Sequence, residues 1–200
     1  MIKCIIFDLG DVLVHNNPRK ACERISNHCP LNPDEVGWFA PEHVHKLMDT
    51  GKITKRDLYR QAVKNLGLKG ISQKKFESIY ADIFTNNKPV QSLALKLSKN
   101  YKLVLLSNTD PIHFEHIKNS FPILSAFSRH VVSYKVGFVK PSRQIYLAAL
   151  KTSGCKASEC VFVDDKMINV LGARKLGINA MRYKTPAKLK SDLKKLGVKV

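Results

Sequence analysis

Five short apolar runs, at residues 3–7, 103–106, 130–133, 160–163 and 178–181, constrain this chain more than any other feature. Most are continuous rather than alternating, and they are rich in Val and Ile. A strand without a polar face must be covered on both sides, as in a parallel sheet sandwiched by helices. Helical spacings fill the gaps between the runs. Val90, Leu93, Ala94 and Leu97 fall at i, i+3, i+4 and i+7, Ile145, Ala148 and Ala149 share a face, and so do Met167, Val170 and Leu171. Asp110-Pro111 reads as an N-cap followed by the first helical residue, and Gly177 as the close of a helix. Strands alternating with helices predict an α/β fold with a doubly wound parallel sheet.

The stretch between the first two runs breaks that rhythm. Residues 15–88 carry no convincing strand, only helical patterns such as Val44-Leu47-Met48, Leu58-Ala62-Leu66 and Phe76-Ile79-Tyr80-Ile83. The chain is therefore expected to divide into an α/β core, residues 1–14 and 89–200, and an inserted helical cap, residues 15–88. The insert leaves the carboxyl end of the first strand, where open α/β sheets bind their ligands. Trp38 and Phe39 are expected to pack within it.

Four polar motifs sit just after predicted strands or at helix starts. Asp8-Leu9-Gly10-Asp11 follows the first strand, Ser107-Asn108 the second, Lys140 precedes the helix that Pro141 helps to start, and Asp164-Asp165 ends a further strand. The sheet brings these ends to one edge, so several carboxylates, a lysine and a hydroxyl converge there. Asp8, Asp164 and Asp165 a few ångströms apart would repel by roughly 4 kcal/mol per pair at an effective dielectric near 20. One lysine cannot offset that, but a divalent cation can, and an all-oxygen site suits Mg²⁺, which keeps waters and takes phosphate oxygens. A cation, a lysine and a hydroxyl together make a phosphoryl receptor. An adjacent aspartate is then a candidate nucleophile, because carboxylates form aspartyl-phosphates.

In order and placement, these motifs resemble the haloacid dehalogenase (HAD) superfamily of phosphatases with a helical cap, over essentially the whole chain. The segments FDLGDVLV, LLSNTD, KPSRQIY and FVDDKMINVLGARKLGI are most similar to the branch containing α-D-glucose-1-phosphate phosphatase and the N-terminal phosphatase domain of soluble epoxide hydrolase. The resemblance implies an HAD-like Rossmannoid core and a role for each motif residue. Asp8 would attack phosphorus. Asp8, the Gly10 carbonyl and Asp165 would hold Mg²⁺, with Asp164 binding a metal-bound water or Lys140. Ser107 would hold phosphate oxygens, Asn108 would help to orient them, and Lys140 would neutralise Asp8 and the transferring group.

One position departs from the family. Most phosphatases of this superfamily carry an aspartate two residues after the nucleophile, to protonate the leaving group and later activate water; here that residue is Gly10. The similar branch also tends to carry glycine there, so the loss does not imply inactivity. General acid catalysis contributes roughly 10²–10⁴-fold, so its absence slows turnover without abolishing it. An anomeric sugar phosphate, with its less basic leaving group, would suffer least, and Asp11, His15, His43 or His45 is a candidate stand-in.

Composition narrows the alternatives. The net charge of +18 suits anionic ligands, yet the lysines are dispersed. The densest run, residues 184–199, has Leu189, Leu193 and Leu196 at helical spacing, a solvated amphipathic helix. Without an RNA-binding motif or interleaved aromatics, nucleic acid is not an expected partner. No uncharged stretch reaches the roughly 18 residues needed to cross a bilayer. The N-terminal run, broken by Asp8 and Asp11, is not a signal peptide. Five scattered cysteines point to reduced thiols. His113 and His116 read as exposed helix histidines rather than metal ligands. The expected protein is a cytoplasmic, Mg²⁺-dependent phosphatase that hydrolyses a small phosphorylated metabolite, a sugar phosphate, through an aspartyl-phosphate. The competing readings are a metal-free 2-haloacid dehalogenase, with Asp8 attacking carbon, and a catalytically impaired binding protein for an anionic partner such as RNA.

Overall fold

The computed structural model describes residues 1–37 and 39–200; Trp38 lies outside the described residues. The main sheet has five parallel strands in the order β5-β4-β1-β6-β7, formed by β1 (Cys4–Phe7), β4 (Lys102–Ser107), β5 (Arg129–Val132), β6 (Cys160–Asp164) and β7 (Asn179–Arg182). Alternation along these apolar strands divides the core in two. Ile5, Phe7, Leu103, Leu105, Val161 and Val163 join one buried cluster. Cys4, Ile6, Val104, Leu106, Cys160 and Phe162 join another on the opposite face. The doubly wound parallel sheet read from the sequence is thus the fold, because strands with no polar residue to spare need helices on both sides.

Among the described residues, five α-helices follow β1 within the insert: α1 (Pro18–Ile25), α2 (Pro33–Val36), α3 (Glu42–Asp49), α4 (Lys55–Leu66) and α5 (Gln73–Ala81). Their apolar faces close over a cluster of their own, built on Ile25, Met48, Leu58, Phe76 and Ile79, with Phe39 among them. The remaining helices are α6 (Lys88–Leu97), α7 (Pro111–Ser120), α8 (Ser133–Val136), α9 (Arg143–Ser153), α10 (Met167–Arg174) and α11 (Pro186–Lys195). α6, α7 and α11 cover the first face of the sheet, and α9 and α10 the second. α7 serves two cores, with Phe114 and Ile117 in the sheet's cluster and Ile112 in the cluster of the inserted helices.

Several expectations need correction. Residues 15–88 are not free of strands: β2 (Val14–Asn16) pairs antiparallel with β3 (Phe84–Asn86), with His15 opposite Thr85. Each strand is three residues long and mostly exposed, so neither shows a readable period. Their pairing ties the two ends of the insert together. α5 stops at Ala81, leaving Ile83 beyond it. In α10 the buried face is Asn169, Val170 and Ala173, while Met167 and Leu171 are exposed. Leu196 lies past the end of α11 and is exposed. Ser133 leaves the predicted strand to begin α8. All five cysteines are free, and among the described residues no helix is long and apolar enough to cross a membrane.

Candidate active site

β1 lies between β4 and β6 in register, Phe7 facing Leu105 on one side and Val163 on the other. One residue further, Asp8 extends the ladder through its amide to the Val163 carbonyl at 2.9 Å. Register therefore delivers Asp8, Ser107 and Asp164 to the same carboxyl edge. Lys140, on the loop before α9, completes the group. Its Nζ lies 2.7 Å from Asp8 Oδ1 and 2.7 Å from Asp164 Oδ2, and it donates to the Leu106 carbonyl at 3.1 Å. All three ammonium protons are thereby placed, and the lysine is only 5% exposed. Burial works against its charge, but Asp8 and Asp164 outweigh burial and raise its pKa.

The partners of Lys140 are held in turn. Asn108 accepts from the Lys140 amide through Oδ1 at 2.7 Å and donates from Nδ2 to the Lys140 carbonyl at 3.1 Å. Its side chain therefore positions the lysine backbone, a role its place beside Ser107 did not suggest. Asp164 is fully buried and accepts from Asn169 Nδ2 at 3.0 and 3.1 Å and from the Lys166 amide at 2.8 Å. Asp8 Oδ1 also accepts from the Leu9 amide at 2.7 Å, and no described residue bonds to Oδ2. Ser107 is buried, and its hydroxyl makes one long bond to the Asn108 carbonyl, 3.3 Å.

A carboxylate oxygen from each of Asp8, Asp164 and Asp165 lies within 4.8 Å of the others. Three carboxylates share one buried ammonium, with Lys166 acting on Asp165 from the rim, so negative charge exceeds positive in a largely buried ring. The imbalance appears in the acids themselves. Burial pushes the Asp8 carboxyl up to about 7, against the pull of Lys140 and with Asp164 adding to the rise. Burial and Asp164 also raise Asp165. An all-oxygen cluster with an excess of negative charge fits a hard divalent cation of the Mg²⁺ type.

Gly10 and Asp11 turn the chain away from β1. Asp11 takes a left-handed φ of 55°, and its carboxylate accepts from the amide and from Nδ2 of Asn16, 3.1 Å each. A Cβ at Gly10 would come 2.8 Å from that same Asn16 Nδ2, so the Asn16 side chain occupies the space where the family's acid would stand. His15 and His43 are exposed, and only His45 among the candidate histidines lines a cavity of the site.

Two cavities meet at this edge. The smaller, about 100 Å³, is lined by Asp8, Gly10, Ser107, Lys140, Asp165 and Lys166 among others. The larger, about 280 Å³, shares Gly10, Ser107 and Asn108 with it and extends beneath the inserted helices to Asp49, His45, Tyr80, Asp110 and His113. Beyond Tyr80 and His113 a third space of about 250 Å³ continues between Pro18, Gly37, Phe39 and Ile83, almost wholly apolar.

His113 is not the exposed helix histidine expected from the sequence. Its Nδ1 is 2.6 Å from Asp110 Oδ2 and its Nε2 is 3.0 Å from the Tyr80 carbonyl. Both partners only accept, so both ring nitrogens carry protons and the ring is an imidazolium. Burial opposes that charge, but Asp110 and the Tyr80 carbonyl outweigh burial and raise the ring's pKa. Tyr80 donates its hydroxyl to Asp110 Oδ2 at 3.1 Å and stacks on His113 at 4.2 Å between centroids. Sequence reasoning missed this cluster and Asp49. The signal for Asp110 as an N-cap was visible, but not that its second oxygen faces the insert.

A model of the haloacid dehalogenase-like hydrolase family matches residues 2–177. The chain is 25% identical over 202 residues to D-ribitol-5-phosphate phosphatase of Bacteroides thetaiotaomicron, covering 96% of this chain and 97% of that protein. It is 24% identical over 177 residues to a sesquiterpene phosphatase of Aspergillus oryzae, covering 88% and 87% of the two chains. An HAD family enzyme of Bacteroides thetaiotaomicron, solved with magnesium and inorganic phosphate, superposes with a TM-score of 0.79 at 26% identity, covering 92% of this chain and 95% of that one.

Proposed function

Since the chain belongs to the haloacid dehalogenase-like hydrolases, we propose that it is a Mg²⁺-dependent phosphatase that cleaves a sugar or polyol phosphate through an aspartyl-phosphate on Asp8. That it is a phosphoric monoester hydrolase acting on small phosphorylated metabolites follows from relatives that are phosphatases along nearly their full length. The finer reading rests on one observation, the Lys140 ammonium shared between Asp8 and Asp164 at 2.7 Å, with Asp165 in the same ring.

Asp8, the Gly10 carbonyl and Asp165 would hold the cation, with Asp164 beside them. When bound, the ion supplies positive charge to the carboxylates and to the phosphoryl oxygens. The protein's own residues account for the rest. Asp8 Oδ2, which no described residue bonds, is the oxygen left to attack phosphorus, while Oδ1 stays anchored by Lys140 and the Leu9 amide. Lys140 offsets the charge that spreads over the phosphoryl oxygens in a loose transition state. Ser107 donates to one of those oxygens from the cavity floor. The inserted helices act as the cap, excluding water and choosing the substrate's body.

A sugar or polyol is favoured because polar groups, Asp49 and His45, line the same cavity as Ser107. The apolar space between Pro18, Phe39 and Ile83 favours a second reading, a phosphate ester with an apolar body. A haloacid is disfavoured, since the uncompensated acids would repel its carboxylate. The deciding experiment is phosphate release from a panel of sugar-1-phosphates, sugar-6-phosphates, polyol phosphates and prenyl phosphates, with Mg²⁺ or EDTA, beside Asp8→Asn. Mg²⁺-dependent release lost in the variant is expected. Chloride release from 2-haloacids without Mg²⁺ overturns the reading.

A further inference from the structure

The phosphatase reading leaves one chemical role without a residue. With Gly10 where the family's acid would stand, something must protonate the leaving oxygen. Asp11 has both carboxylate oxygens engaged by Asn16. His15 and His43 are exposed, and burial lowers the pKa of His45, so its ring holds a second proton less readily than a free histidine. Asp110 is committed to His113, Tyr80 and two backbone amides. Asp49 remains.

Asp49 is the last residue of α3 and lines the 280 Å³ cavity together with Gly10, Ser107 and Asn108. The end of that helix is seated directly on the core. Gly51 has φ +67°, and a Cβ there would lie 2.2 Å from the Tyr134 carbonyl of α8, so only a glycine lets the two backbones approach this closely. The seat fixes the end of α3, and Asp49 with it, at the wall of the cavity that Ser107 and Asn108 also line. Its half-buried carboxylate makes no hydrogen bond or ion pair to any described residue. An acid at a helix C-terminus also faces the negative end of the helix dipole, a position that folding alone does not favour.

We propose that Asp49 is the general acid and base of this phosphatase, delivered by the cap in place of the residue absent at Gly10. In the first step Asp8 bonds to phosphorus, the P–O ester bond breaks with its electron pair on the leaving oxygen, and the Asp49 carboxyl gives its proton to that oxygen. In the second, the Asp49 carboxylate takes a proton from a water whose oxygen bonds to phosphorus. The Asp8–phosphorus bond then breaks, releasing phosphate and the Asp8 carboxylate. The groups around Asp49 are Asp110, the N-cap of α7, and His113 within that helix, Tyr80 from α5, Lys166 after β6, Tyr134 of α8 beside Gly51, and His45 on its own helix. Burial and Asp110 push its carboxyl up to about 7, while His113 and Lys166 pull the other way. A group titrating near neutrality can both give and take a proton at working pH.

The test compares wild type, Asp49→Asn and Asp49→Glu, each with Mg²⁺, on 4-nitrophenyl phosphate, whose leaving group needs little protonation, and phenyl phosphate, whose leaving group needs more. Asp49→Asn should lose kcat/KM about 10²-fold on phenyl phosphate and under about tenfold on 4-nitrophenyl phosphate, a general-acid loss scaled to the leaving group. The alkaline limb of the wild-type kcat profile on phenyl phosphate should vanish in Asp49→Asn, and Asp49→Glu should restore part of the rate. Equal losses on both esters, a change confined to KM, or no loss overturns the proposal and leaves the phosphatase reading standing. A wild-type protein that turns over only 4-nitrophenyl phosphate also overturns it, and one inactive on both esters overturns both readings.

Discussion

Lys140 owes its charge to its neighbours, and they owe their tolerance of each other to it. A buried ammonium donating to two carboxylates and a carbonyl has no slack. Lys140→Met should cost roughly 3–5 kcal/mol of stability, because it strands two buried carboxylates. Urea denaturation in EDTA measures this, and a loss below 1 kcal/mol, the surface-pair scale, contradicts it. The residue types at this edge were legible in the sequence because acids and a lysine are out of place beside apolar runs. Their mutual geometry was not. Nothing local says that Asn108 closes on the Lys140 backbone from 32 residues away. Gly10 has a local reason as well. Gly10→Ala and Asn16→Ala should couple by about 0.5–1 kcal/mol in a double-mutant cycle, since the new Cβ displaces the Asn16 amide that also holds Asp11. Additive effects would mean that Asn16 moves aside without cost.

At the scale of elements, the seam between the inserted helices and the rest of the fold joins an apolar contact, Ile112 of α7 within the inserted cluster, to a set of polar ones. α4 meets α7 through Lys55 and Glu115, α5 meets α7 through Tyr80, Asp110 and His113, and the turn after α3 rests on α8. The Asp110–His113 pair makes this seam pH-dependent. The His113 pKa is raised on folding, so its stabilisation is complete below about 6.5, the unfolded value, and is lost as pH climbs through the folded one. Asp110 is lowered, His113's charge outweighing burial, so its contribution holds above about 3.9 and is lost as pH falls through its depressed folded value. His113→Ala should therefore cost most near pH 5, roughly 3–5 kcal/mol with Asp110 left buried and unpaired. The gap to wild type in urea midpoint should narrow as pH rises past the ring's pKa, and a gap that widens with pH refutes the imidazolium assignment. Gly51→Ala should cost roughly 1–3 kcal/mol by overpacking against Tyr134, read as a lower Tm. The sequence showed these helices through their apolar spacing, but it hid β2 and β3, which are too short and too exposed to carry a pattern.

At the scale of the molecule, a basic protein encloses an acidic ring. The net charge of +18 draws anionic substrates toward the protein, while the three carboxylates at the sheet edge would repel them unless a cation is bound. Mg²⁺ should therefore stabilise the folded chain, by about 2.7 kcal/mol at a hundred times its Kd. A calorimetric Tm that rises with Mg²⁺ in wild type but not in Asp165→Asn is the expected result, and an equal rise in both removes Asp165 from the site. What the sequence determined by itself is what depends on local pattern: the parallel sheet, the helical insert, and the kinds of residue at the carboxyl edge. Each follows from periodicity or from a charge set beside an apolar run. Only the tertiary structure decided which of those residues touch, that His113 is a buried cation bridging the inserted helices and the sheet's own helices, and that Asp49, 41 residues further along the chain than Asp8, lines one cavity with Gly10, Ser107 and Asn108. Contacts between distant segments are set by how helices pack and how strands register, and that information is spread over the whole chain rather than held in any one stretch of it.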